Sequence, residues 1–295
     1  MSPQSQGYLF KIVSVAIFAV QNGLSKHLGA AYSPIFIAMV RYWVFAAVVI
    51  LLAMRSGGIA KVASTKRPFL QIARGVILAA GVVTAIFGLS RAGLAIAQTI
   101  FQSTPLLVTM LASLFLGENV GWSRWIAVIF GLCGVLLIIN PANAHFNANV
   151  LFAVASASLL AIYVVATRAV SRDDGAMTSF FHTGIGGVVV LTAVGVFFIV
   201  PIAPHDWFCL AALCICGIAS HYCLIRAYHT VEAGELQPLT YFQLVITAFI
   251  ATLVFHETLT WNVIAGAFIV VGAGLFSMFR ERSLSLKRTA SATTP

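Results

Sequence analysis

The chain has 295 residues, 60% of them hydrophobic and only 8% charged, with a formal net charge of +9 and a pI near 9.7. A soluble domain carries roughly 25% charged residues; far fewer are present here, which excludes a water-solvated surface and leaves lipid as the surrounding medium. The basic residues fall between apolar runs and not along one stripe, which argues against nucleic acid as a partner, and the cysteines Cys133, Cys209, Cys214, Cys216 and Cys223 lack zinc-type spacing and read as small packing residues.

Taken in chain order, ten apolar runs approach or exceed the ~20 residues that a bilayer core requires. They cover 8–27, 34–54, 69–90, 94–116, 122–140, 147–168, 178–200, 207–229, 235–255 and 261–279. Continuous apolarity fills each run in place of period-2 alternation, so helices are expected and not barrel strands. Breakers separate them: Ser33-Pro34, Gly57-Gly58, Lys66-Arg67-Pro68, Asn140-Pro141 and Pro201 to Pro204. The first run is not read as a signal peptide, because no basic residue precedes Lys11 and nine further runs follow. Beyond the last run, 280–295 is basic and then rich in Ser, Thr and Ala, and reads as a disordered cytoplasmic tail.

Fourteen of the 17 Lys and Arg, Arg74 among them, fall on the side of the N-terminus when the runs alternate across a bilayer. Lys26 and Arg91 alone fall on the other side, and Arg41 lies inside a run. The positive-inside rule therefore places both termini in the cytoplasm and favours an even number of spans.

The chain repeats itself. An offset of 139 residues brings Gln98 onto Gln237, Ala112 onto Ala251, Leu114 onto Leu253, Glu118 onto Glu257 and Trp122 onto Trp261; an offset of 142 brings Ser25 onto Thr167 and Lys26 onto Arg168. Each half, 8–140 and 147–279, holds five runs. An odd number inverts the second half relative to the first, as in secondary transporters whose substrate site lies near the midplane between repeats.

Polar groups inside spans turn inward and find partners. In the fourth run Gln98, Gln102, Pro105 and Thr109 share one helical face, and the ninth run carries Gln237 and Tyr241 at the positions equivalent to Gln98 and Gln102. The first run offers Gln21, Asn22 and Ser25, and its counterpart offers Tyr163 and Thr167. These groups are expected to line a polar path for a solute; the alternative is interhelical hydrogen bonding that only holds the bundle together. His221 and Tyr222 lie near mid-membrane, where His221 is either a proton carrier or a neutral histidine bonded to a neighbour. Arg41 either binds substrate or closes a gate, or it satisfies backbone carbonyls. Glu118 and Glu257 end equivalent helices and are expected to tie hairpins, while Gly131, Gly134, Gly266, Gly272 and Gly274 allow close contact at an internal or a homodimer interface.

Three stretches carry a resemblance to a known family: AIYVVATRAV at 161–170, GELQPLTYFQLVITAFIATLVFHETLTW at 234–261 and its first-half counterpart FQSTPLLVTMLASLFLGENV at 101–120. They resemble the paired EamA-type repeats of the drug/metabolite transporter superfamily across roughly 8–279, and Arg41 matches an arginine common in the second helix of that family. The chain departs from the pattern at Leu244, where the first half has Pro105, and at His256-Glu257 in place of Gly-Glu. The resemblance implies a ten-helix carrier of the bacterial inner membrane that works by alternating access. Its form is similar to a branch containing riboflavin and S-adenosylmethionine carriers; riboflavin uptake is the leading expectation, with amino-acid export and S-adenosylmethionine carriage as alternatives.

An intramembrane enzyme is the remote rival. No His-Glu-x-x-His and no Walker-type loop occurs, Asp173, Asp174 and Asp206 read as loop residues, and no catalytic or metal-binding set and no cofactor is expected. The expectation is an all-α polytopic membrane protein of ten transmembrane helices in two inverted repeats, with a small solute and the bilayer as its partners.

Overall fold

The structure, a computed structural model, describes residues 3–117, 121–140, 147–170, 173–231, 236 and 238–292. Its described elements are helical throughout: α1 Pro3–Ala31, α2 Pro34–Arg55, α3 Ile59–Ala63, α4 Pro68–Arg91, α5 Leu94–Phe101, α6 Thr104–Leu116, α7 Trp122–Ile139, α8 Val150–Val170, α9 Ala176–Gly195, α10 Pro204–Thr230, α11 Phe242–Leu253 and α12 Trp261–Ala292. Nine described stretches are long and apolar enough to cross a membrane, the fourth being α5 and α6 taken together, and Pro238–Leu253 is a shorter apolar helix. The ten apolar runs thus become the ten spans of an all-α polytopic membrane protein with two related halves. The last helix continues to Ala292, into the segment whose composition suggests a disordered tail.

Proline starts the helices where the sequence places it. Pro34, Pro68 and Pro204 occupy first-turn positions of α2, α4 and α10, where the missing N–H is no loss. Pro105 instead divides the fourth span: α5 ends at Phe101 and α6 begins at Thr104, with Gln102 and Ser103 at the break. In the ninth span the same place is a 3-10 turn, Pro238–Tyr241. The two halves also share a left-handed stop. Gly117 ends α6 with φ 66°, and His256, its equivalent at the 139-residue offset, has φ 52°. The exchange of Gly for His keeps the turn and places a Cβ where L-residues are strained.

Packing exchanges the halves. α1 lies on α10 and α4 on α8, two pairings that the repeat interconverts, while α2 packs on its own counterpart α9 and α7 on its counterpart α12. Neither half forms a separate bundle. The α7–α12 contact is glycine-mediated: a Cβ on Gly266 would lie 2.8 Å from the Gly134 carbonyl oxygen, and one on Gly134 would lie 3.1 Å from that of Gly266. Gly131 faces Leu106 and Gly274 faces Tyr241, so four of the five glycines serve internal contacts; Gly272 alone of the set faces open space. The symmetry is incomplete. α1 packs closely on α4, with the Cβ position of Gly29 only 2.5 Å from Ile86, whereas the related pair α8 and α10 makes at most marginal contact among the described residues.

Two substitutions test this account. Gly266→Leu overpacks a backbone-to-backbone contact and should lower stability by about 1–3 kcal/mol, seen as a lower melting temperature in detergent, while Gly272→Ala leaves it unchanged. His256→Gly relieves a left-handed residue and should raise stability by about 1 kcal/mol.

Candidate functional site

Polar side chains gather at three levels of the bundle. At the end marked by Lys26, the Glu257 carboxylate carries the largest load. His256 turns the chain after α11, the Glu257 N–H closes on the Ala251 carbonyl at 2.9 Å, and the side chain is delivered to the start of α5. There it accepts the backbone N–H groups of Leu94 at 2.7 Å and Ala95 at 3.0 Å and pairs with Lys26. Gly93, φ 108°, makes room for it: a Cβ there would lie 3.3 Å from Oε1. A carboxylate at a helix N-terminus meets unsatisfied donors and the positive end of the dipole together. The Lys26 ammonium also lies 4.2 Å from the Phe255 ring centroid. One acidic residue of the second half therefore joins two helices of the first.

Beside it, Asp206 on the first turn of α10 is 3% exposed. It accepts from Tyr32 Oη at 2.7 Å and meets His27 Nε2 at 2.9 Å, and Tyr32 Oη in turn accepts the Ala203 N–H at 3.0 Å. Asp206 is thus a buried helix residue and not the loop residue expected. His27, Asp206 and Cys209 form the one grouping among the described residues that offers metal-ligand atoms, all within 4.8 Å of one another, but both Asp206 oxygens already have partners.

At the opposite end a second network ties α4 to α8 and α9. Arg74, counted from the sequence among the cations of the inner side, lies six residues inside α4 and is 1% exposed. Its partners are Thr167, Gln71, Tyr163 and Thr183. Gln71, fully buried, passes the network on to Asp174 at 2.8 Å and Ser179 at 3.3 Å. Desolvation opposes the charge on Asp174, but hydrogen bonds from Thr65, the Lys66 N–H and Gln71 outweigh it and hold its carboxyl below the ordinary aspartate range.

Between these ends the sequence-predicted residues separate into groups. Asn22 donates to Gln98 Oε1 at 2.7 Å, joining α1 to α5. Gln102 donates to the Thr240 carbonyl at 3.2 Å across the breaks of the fourth and ninth spans. Gln21 is 6% exposed, and its Oε1 is buried without a partner, lying 3.7 Å from the Cβ position of Gly217 on α10. One turn further on, His221 Nδ1 lies 2.8 Å from the Gly217 carbonyl and its ring meets Phe18 edge-on. Arg41 is within electrostatic reach of Cys214 and of His221. Gln21, Arg41 and His221 therefore converge on the Cys214–Gly217–His221 face of α10. Tyr163 belongs instead to the Arg74 network, 5.1 Å from that guanidinium.

Two positions depart from expectation, and one lies outside view. Tyr222 sits on a stripe with Phe208 and Ile215, spaced by seven and 58%, 80% and 64% exposed; that face of α10 is apolar and meets acyl chains, because adjacent helical residues diverge by about 100°. Tyr241 lines an apolar groove of about 540 Å³ with Thr99, Phe242, Val245 and Phe268, its hydroxyl toward Gly274. The 3-10 turn winds three residues per turn instead of 3.6, so the match between Tyr241 and Gln102 holds in sequence and not in direction. Gln237 and Glu118 lie outside the described residues. Missed from the sequence were Arg74, Gln71, Asp174, His27 and Asp206. The Lys26–Arg168 and Glu118–Glu257 matches already pointed to paired charges at the helix ends.

The EamA-like transporter family matches residues 5–140 and 147–279. A protein of Rickettsia bellii described as an S-adenosylmethionine uptake transporter is 29% identical over 285 residues, covering 94% of each chain. A riboflavin transporter of Brucella anthropi is 27% identical over 288 residues, covering 95% of this chain and 100% of that one. A solved crystal structure with 19% identity aligns with a TM-score of 0.62 over 96% of this chain and 99% of its own, a likeness of fold.

The Lys26–Glu257 contact predicts unequal mutants. Lys26→Ala leaves Glu257 its two backbone donors but unpairs a mostly buried carboxylate, and should cost about 1–2 kcal/mol. Glu257→Ala leaves Lys26 unpaired and strips α5 of its cap as well, and should cost about 3–5 kcal/mol. Melting in detergent reads the difference; equal effects would refute the capping role.

Proposed function

The chain belongs to the EamA-like transporter family, and from that premise we propose that it takes up a small organic metabolite across the bacterial inner membrane by alternating access. The observation that carries this reading is the convergence of Gln21, Arg41 and His221 on one face of α10, at a place where helices of both halves meet. Charge bias puts both termini in the cytoplasm, so the Lys26 end faces outward. Close packing of α1 on α4 and the Lys26–Glu257 pair then close the outer side, and the parted pair α8 and α10 opens the inner one.

Of the candidate solutes, S-adenosylmethionine has the stronger support. The Rickettsia relative transports it, and Arg41 suits a solute bearing an anionic group. This reverses the order expected from the amides alone, which suit a flat neutral solute such as riboflavin; the Brucella relative keeps riboflavin as the second reading. No covalent chemistry is assigned, and without a phosphate-binding loop the driving force is a gradient. Support for a homodimer is confined to the Gly272 face of α12, since the other glycines are engaged internally.

Uptake into proteoliposomes tests the proposal. Labelled S-adenosylmethionine should accumulate above empty vesicles, and excess unlabelled S-adenosylmethionine should abolish the signal while riboflavin competes less well. Riboflavin uptake alone would select the second reading. If correctly inserted protein moves neither solute, both readings fall.

A further inference from the structure

Two arginines lie inside spanning helices, and the fold treats them oppositely. Arg74 is well matched: Nε donates to Thr167 Oγ1 at 3.0 Å, Nη1 to Gln71 Oε1, and Nη2 to Tyr163 Oη and Thr183 Oγ1 at 3.4 Å each. Arg41, seven residues into α2, makes no hydrogen bond or ion pair among the described residues. Its face of α2 is the inner one, shared with buried Ile37 and Ala38, whereas Trp43 and Leu51 are exposed to the lipid side. Arg41 itself is half-buried, and none of its nitrogens is among the sealed buried atoms. Its electrostatic neighbours are Cys214, Tyr42 and His221, none of them a carboxylate.

A guanidinium has five N–H donors in a fixed fork that matches a carboxylate. Leaving it unmatched inside a membrane is costly, and intramembrane charges of this kind mark substrate paths. A second unmatched group stands near it. Gln21 Oε1, an acceptor, is buried without a donor and faces Gly217, on the helix against which Ile37 and Ala38, one turn before Arg41, pack through Leu210 and Leu213. A fork of donors and a lone acceptor thus lie on two helices packed against the same third helix.

We infer that Arg41 and Gln21 together hold the α-amino-acid end of the carried solute, Arg41 receiving the carboxylate and Gln21 Oε1, which stays covered until the helices around it part, accepting from the ammonium group. The inference rests on the uptake reading above and narrows its solute to a zwitterionic amino-acid headgroup. Each partner supplies what the other end of the zwitterion lacks, and the arrangement rejects a solute missing either group, because one buried polar group is then left unpaired.

Binding to purified protein, read by calorimetry, tests it with three probes: S-adenosylmethionine, its decarboxylated analogue and its deaminated analogue. Wild-type protein should prefer the parent over each analogue by about tenfold or more. Arg41→Gln should erase the preference over the decarboxylated analogue and keep that over the deaminated one; Gln21→Leu should do the reverse, and Arg41→Lys should keep part of the carboxylate preference. Equal wild-type affinity for all three, or unaltered preferences in the variants, overturns the headgroup site and leaves metabolite uptake standing. Binding of riboflavin without S-adenosylmethionine overturns the headgroup site and favours the second solute. Failure of wild-type protein to bind any of these, riboflavin included, overturns both readings. The analogue comparison on wild-type protein needs no variant to fold.

Discussion

Every polar group that enters a bilayer must find its partner inside the protein, and the Glu257 carboxylate is where this constraint organises the molecule. It satisfies two N–H groups at the start of α5 and the Lys26 ammonium of α1 from a loop in the other half of the chain. Water would compete for each of these bonds at an exposed surface; in a partly buried site they are retained. Glu257 therefore joins the halves at one end, and the left-handed turn at His256 aims it there.

The same constraint explains the opposite end. The Arg74 network joins α4 to α8 and α9 through Gln71, Thr167, Tyr163 and Thr183, as the His27–Asp206–Tyr32 group joins α1 to α10. In both cases the start of a third helix is tied to the end of the first helix of the other half, so the two tethers are related by the repeat. The closure at Lys26 has no such restriction: it holds α1 to α5 and to the end of α11. Fixed tethers with a separable closure are what a molecule needs if its halves are to rock without coming apart. Two of the polar groups left unmatched, Arg41 and Gln21, lie between the two ends, where a solute can supply the missing partners.

Much of this was legible in the residues. Continuous apolar runs give ten spans because a helix alone satisfies its backbone in lipid. The 139-residue offset pairs Glu118 with Glu257 and Gly117 with His256, and the second pair proves to be the same left-handed turn. Among the candidate site residues, Gln21, Asn22, Arg41, Gln98 and Gln102 all lie in inward-facing or bonded positions. Tyr222 and Tyr241 were misdirected for a common reason: sequence spacing assumes a uniform helix and a known inner face, whereas Tyr222 stands about 100° from His221 and Tyr241 ends a 3-10 turn.

Composition, run length and internal repetition by themselves determined the medium, the number of spans and the inverted pairing of the halves, because those properties follow from hydrophobic length and from order along the chain. Tertiary structure alone decided which charges are matched. Arg74 and Arg41 look alike in sequence, each an arginine in an apolar run, yet one is surrounded by acceptors from three helices and the other by none among the described residues. Acceptors that come from residues some ninety to a hundred and ten positions away along the chain leave no local pattern, so only folding could show where a charge had been left for something else to meet.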